Sequence, residues 1–143
     1  MWPNGSLNGG KSDFKIIFDT DVLIWYFRGN PGAMEFMAKV PYPDRHISAL
    51  CMMELVQGCM NKEELRSVKK FIRENICHVI HPDERISEKA IHLLERHAMS
   101  DGLRTVDALI AASALVNGAA LASANYKHFK NISALEVIKF RGR

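Results

Sequence analysis

The sequence predicts an α/β fold, a three-layer α/β/α sandwich around a mostly parallel central sheet. Three observations predict it. Short apolar runs that read as buried strands alternate with longer segments of helical period. No internal repeat and no linker breaks that alternation after residue 14. The 143 residues are enough for one domain that buries about two-thirds of its unfolded surface without disulfide staples.

Each element has a local reason. Lys15 to Phe18 is a short buried strand, and the chain turns at Asp19 and Asp21 into the helical stretch "VLIWYFRGN", closed by Gly29, Asn30 and Pro31. A second helix, "GAMEFMAKV", ends at the Pro41 and Pro43 cluster. "RHISAL" then gives a strand running into a helix through Gln57, with Ser48 as its cap and Gly58 as its end. "KEELRSVKKFIREN" carries Leu65, Val68, Phe71 and Ile72 on one face. After it come the strand "CHVIH", Pro82, and an amphipathic helix from about Asp83 to Met99. Thr105 caps a helix through Val116 that stops at Asn117 and Gly118, and "ALASA" and "LEVIKF" supply the last two strands.

Composition narrows the function classes. With 48% hydrophobic and 24% charged residues, the chain is neither disordered nor fibrous. Residues 1–14 are rich in Gly, Asn and Ser and lack the apolar core of a signal peptide, so they read as a flexible leader to a domain over 15–143. No run approaches the roughly 18 apolar residues of a membrane span. Cys51, Cys59 and Cys77 lack CxxC spacing and read as reduced structural thiols of a cytoplasmic protein. The net charge of +3 permits a nucleic-acid partner without arguing for one.

Acids sit at three places where apolar chain should be. Asp19 and Asp21 stand at the carboxyl end of a strand, the edge at which such sheets bind ligands. Capping of the next helix is the plain alternative, for Asp21 above all. Glu54 lies among Leu50, Met53, Leu55 and Val56, and its plain alternative is an exposed helix edge. Asp107 is in the first turn of the small, apolar helix "TVDALIAASALV", where it suits the helix dipole. Together they suggest convergence. Convergent carboxylates repel, and a hard divalent ion, Mg²⁺ or Mn²⁺, resolves the repulsion and suits phosphoryl chemistry. The six histidines form no ligand pattern, so zinc has little support.

"FDTDVLI", "ISALCMMELVQG", "LRTVDALIAASALVNGAALASANYKHF" and "LEVIKF" resemble the PIN-domain ribonucleases of the VapC toxin type, over about Lys15 to Phe140. The resemblance implies a commonly dimeric α/β/α domain that cleaves RNA with Mg²⁺ or Mn²⁺, paired with a cognate antitoxin. It implies Asp19, Glu54 and Asp107 as metal-holding acids and Asn125 at a fourth catalytic position that is often Asp. Water would attack the phosphodiester in line, leaving 5′-phosphate and 3′-hydroxyl ends. An amide brings no charge, so metal binding is expected to be weaker. Asp21 stands where Asn or Ser is common and is expected to support the site. Asp101, expected in the loop before the Asp107 helix, is undecided, and Ser123 is a hydroxyl suited to positioning water or phosphate. Arg28, Arg104, Lys127 and Lys130 are the nearby cations for RNA. Two rivals stand beside this reading: a non-catalytic PIN fold that binds RNA or protein, and a haloacid-dehalogenase-type phosphatase using Asp19, which leaves Glu54 without a role.

Overall fold

The computed structural model describes residues 14–141. The expected leader, apart from Phe14, lies outside the described residues.

β1 (Ile16–Phe18) is wholly buried, and Asp19 turns the chain into α1 (Thr20–Phe27) by accepting the Thr20 amide on its own carboxylate. Pro31, expected as part of a stop, instead opens α2 (Pro31–Lys39) behind the Asn30 cap, where its missing N–H costs nothing. A short 3₁₀ turn over Tyr42–Asp44 leads into β2 (Arg45–Ser48). Ser48 caps α3 (Ala49–Gln57), which ends at Gly58 as expected. α4 (Lys62–Asn75) buries Val68, Phe71 and Ile72. After β3 (His78–Ile80), α5 (Glu84–Asp101) is capped by Asp83 and stopped by Gly102 at φ 70°. Asp101, expected in a loop, is therefore the last residue of a helix. α6 (Thr105–Asn117) includes Thr105 as a helical residue; Arg104 holds the cap position, with no side-chain cap bond. β4 (Ala120–Ser123), the unforeseen one-turn α7 (Tyr126–Phe129) and β5 (Val137–Lys139) complete the chain.

The five strands run in the order β3-β2-β1-β4-β5 and every pairing is parallel. Steps from β1 outward to β3 put α1, α2 and α4 on one face, the return to β4 puts α5 and α6 on the other, and α3 serves both, with Leu55 in the first core and Cys51 in the second. Side chains along β1 follow suit. Ile16 and Phe18 join Leu23, Leu55 and Phe71 on the first face. Ile17 joins Ile86, Leu93 and Ile110 on the second. Each such side chain contributes about 1.5–3 kcal/mol of burial free energy. Among the described residues no helix is long and apolar enough to cross a membrane.

Strand order reverses between β1 and β4, and such a switch point opens a crevice at the carboxyl ends. Phe18 pairs with Ala122, and the Asp19 amide donates to the Ala122 carbonyl at 2.9 Å. Asp19 and Ser123 therefore meet at the mouth of that crevice.

Candidate active site

Asp19 is 6% exposed. Its Oδ1 accepts the Thr20 amide at 2.8 Å, and its Oδ2 accepts the Ser123 hydroxyl at 2.8 Å. Ser123 Oγ in turn accepts the Asn125 amide at 2.9 Å. The start of α1 and the end of β4 thus hold the Asp19 carboxylate in one orientation. Burial, reinforced by the charges of Asp21 and Asp107, pushes the carboxyl up to about 7 against the pull of those hydrogen bonds.

Glu54 projects from α3 and is exposed, and Thr20 Oγ1 donates to its Oε1 at 2.5 Å. The first turn of α1 therefore grips an acid 34 positions further along the chain. Asp107 is half-buried in the first turn of α6. Burial raises its pKa, Glu54 raises it further, and His128 and Arg104 oppose the rise. Asp107 Oδ2 stands 3.4 Å from His128 Nδ1, beyond a well-formed hydrogen bond.

The remaining expected residues divide. Asp21 does not cap α1, a task done by Asp19. Its carboxylate accepts the Ala124 amide at 3.2–3.3 Å, joining α1 to the end of β4. Burial raises the Asp21 pKa, with Asp107 adding to the rise. Asn125 is exposed at the start of α7 and its side chain makes no capping bond there. Asp101 joins a different network: His97 Nδ1 at 2.8 Å and Asn131 Nδ2 at 3.2 Å, tying the end of α5 to the segment after α7. The His97 contact holds the Asp101 carboxyl below the usual carboxylate range. Arg28, Arg104, Lys127 and Lys130 are all exposed.

Thr20 and the Asp107 contact of His128 escaped the sequence reading. Nothing in the spacing of "DTD" reveals that its middle residue reaches Glu54. Only the apposition of α1 and α3 does. Beneath the acids, burial and the nearby charges of Asp19 and Glu54 push the Cys51 thiol up to about 12, which leaves it unreactive. Glu54 also borders a groove of about 590 Å³ lined by Ile24, Phe27 and Arg28 of the α1 end and by Ser67 and Val68 of α4.

The carboxylates of Asp19, Asp21, Glu54 and Asp107 influence one another electrostatically. Among the described residues, however, no group of three or more His, Cys, Asp or Glu side chains is already closed around a point fit for a metal ion. The all-oxygen chemistry of these carboxylates fits a hard divalent cation, which prefers carboxylate and water ligands.

Fold and site together define a doubly wound α/β protein with an acidic crevice at its switch point. The family profile of the PIN domain matches residues 16–135. The chain belongs to the PIN domain family, whose members are generally nucleases. No curated protein matches it in sequence. Among solved structures it is similar to a toxin-antitoxin complex from Klebsiella pneumoniae, at TM-score 0.74 and 24% identity, over 87% of this chain and 97% of that one. VapBC-1 from nontypeable Haemophilus influenzae matches at TM-score 0.74 and 23% identity, over 88% and 98% of the two chains. DNA-bound VapBC from Salmonella typhimurium matches at 0.75 and 20%, again over 88% and 98%. At these identities the likeness establishes the shared fold.

Proposed function

We propose that this chain is a Mg²⁺- or Mn²⁺-dependent endoribonuclease, the toxin of a toxin–antitoxin pair. The observation that carries the reading is electrostatic. Asp19, Asp21 and Asp107 all have carboxyl pKa values raised from their ordinary values by burial and by the charge of neighbouring acids. A divalent cation beside them offsets both the burial and the repulsion.

Asp19, Glu54 and Asp107 are the residues that would hold it. Bound there, the ion would supply Lewis acidity to the phosphate and leaving oxygen and would acidify a water. Around it the chain supplies orientation. Ser123 fixes Asp19, Thr20 fixes one oxygen of Glu54, and the other Glu54 oxygen would be free either to hold the ion or to take a proton from the attacking water. Attack on phosphorus breaks its bond to the 3′-oxygen, which leaves as a hydroxyl after protonation from solvent. Single-stranded or looped RNA suits the crevice, because its backbone is accessible there. Arg104 acts on Asp107 and Arg28 shares a groove with Glu54, so exposed cations are at hand for the RNA backbone. An antitoxin partner belongs to the same reading, supported by the toxin-antitoxin complexes among the similar structures.

Asn125 favours a second reading, a PIN fold that binds without cleaving, because an amide stands where an acid is common. The phosphatase rival gives no part to Glu54, yet Glu54 is bonded to the residue next to Asp19. Incubating structured RNA with the protein, with and without Mn²⁺, separates these. Cleavage that needs Mn²⁺ and is lost in Asp19→Asn and Asp107→Asn is the expected result. Equal cleavage by all three proteins, or none by any, would sink the nuclease.

A further inference from the structure

Each acid of the crevice has a hydrogen-bond donor of its own except Asp107. Asp19 has the Thr20 amide and the Ser123 hydroxyl, and Glu54 has the Thr20 hydroxyl. The side chain that faces Asp107 is His128, from the short α7. Its Nδ1 is sealed from solvent and makes no hydrogen bond among the described residues, although 38% of the side chain is exposed. The exposure is therefore elsewhere on the ring, and Nδ1 faces inward. Asp107 Oδ2 is 3.4 Å away, half an ångström or so beyond an ordinary N–H to oxygen bond. A buried donor left without an acceptor is unfavourable, so a small shift of the Asp107 carboxylate toward the ring is favoured.

We propose that His128 is a positioning residue for Asp107: its ring donates from Nδ1 to Oδ2 and so fixes the orientation in which the Asp107 carboxylate would meet a divalent cation. The inference rests on the metal-dependent reading above. The Phe129 side chain is fully buried, and the His128 amide donates to the Asn125 carbonyl at 3.1 Å. The turn is anchored on both sides of the imidazole, and the ring has little freedom to leave Asp107. Carboxylates that ligate metals are commonly held by such neighbours, and loss of one weakens metal binding about 10- to 100-fold.

The test is calorimetric titration of the RNA-free protein with Mn²⁺, comparing wild type, His128→Leu, His128→Asn and His128→Gln. Asn places an amide N–H near the position of Nδ1, whereas Gln carries it further out and Leu has none. Binding about 10-fold weaker in Leu and Gln, with Asn close to wild type, is expected. If Leu does not fold, the contrast between Asn and Gln decides alone. Wild-type affinity in Leu and Gln, or equal loss in all three variants, overturns the positioning role while leaving the metal site standing. A wild-type protein that takes up no Mn²⁺ overturns the metal-dependent reading and this inference with it. Because RNA is absent, a residue that only touches substrate would leave the titration unchanged.

Discussion

Asp19→Asn is expected to abolish RNA cleavage and, in the metal-free protein at pH 8, to make the fold more stable. The two effects have one cause. The carboxyl of Asp19 titrates from its ordinary 3.8 up to about 7 in the folded protein. Between those values the folded state keeps a proton that the unfolded chain has released, so stability falls as pH rises. The loss begins near pH 4 and is complete a little above pH 7, where it amounts to about 4 kcal/mol. Asp21 and Asp107 are raised as well and act in the same direction. Asparagine carries no charge and removes the Asp19 share. The gain is smaller than the full loss, because Ser123 Oγ must redirect the proton it now gives to Asp19 Oδ2. Urea unfolding in a chelator at pH 5 and pH 8 measures this. Wild type is expected to be less stable at pH 8 than at pH 5, and Asp19→Asn to show a much flatter profile. A wild type equally stable at both values would remove the electrostatic basis of the site.

Thr20→Val should cost about 10- to 100-fold in kcat/KM with little effect on folding. Valine keeps the β-branched shape at the first position of α1 and loses only the hydroxyl that donates to Glu54 at 2.5 Å. Without that bond the Glu54 side chain, exposed on α3, samples many rotamers instead of one. Thr20→Ser restores the donor and should recover most of the activity. Steady-state cleavage of a short RNA at saturating Mn²⁺ distinguishes the outcomes. Equal rates for Val and wild type would show that Glu54 needs no such anchor.

Much of the fold was legible because its signals are local. The apolar run of β1, the Ser48 cap and Gly58 stop of α3, and the amphipathic face of α4 each declare themselves within a few residues. Errors came where a residue suits two roles. Pro31 breaks a helix or begins one, and Asn30 decided it by accepting the Ala33 amide. Thr105 resembles a cap and is a helical residue, because the turn begins one position earlier. Four-residue α7 was too short to carry a period.

The acids were legible in part for the same reason. A charge in an apolar helix or at a strand end is visible in one dimension, as with Glu54, Asp107 and Asp19. Which neighbour holds each charge is not. Thr20 reaches Glu54 across 34 positions, and Ser123 reaches Asp19 across 104. Asp21 and Asp101 looked equivalent as extra acids, yet Asp21 borders the crevice through Ala124, whereas Asp101 pairs with His97 and Asn131. Only the pairing of β1 with β4, and the packing of α5 beside α6, separates them.

The central claim is that Asp19, Glu54 and Asp107 converge on one kind of ligand. Crystals soaked in MnCl₂, with data collected at the manganese edge, test it most directly. An anomalous peak within coordination distance of all three carboxylates is predicted, lost in Asp19→Asn crystals. A peak elsewhere on the molecule, or none at Mn²⁺ concentrations that support cleavage, would contradict the account.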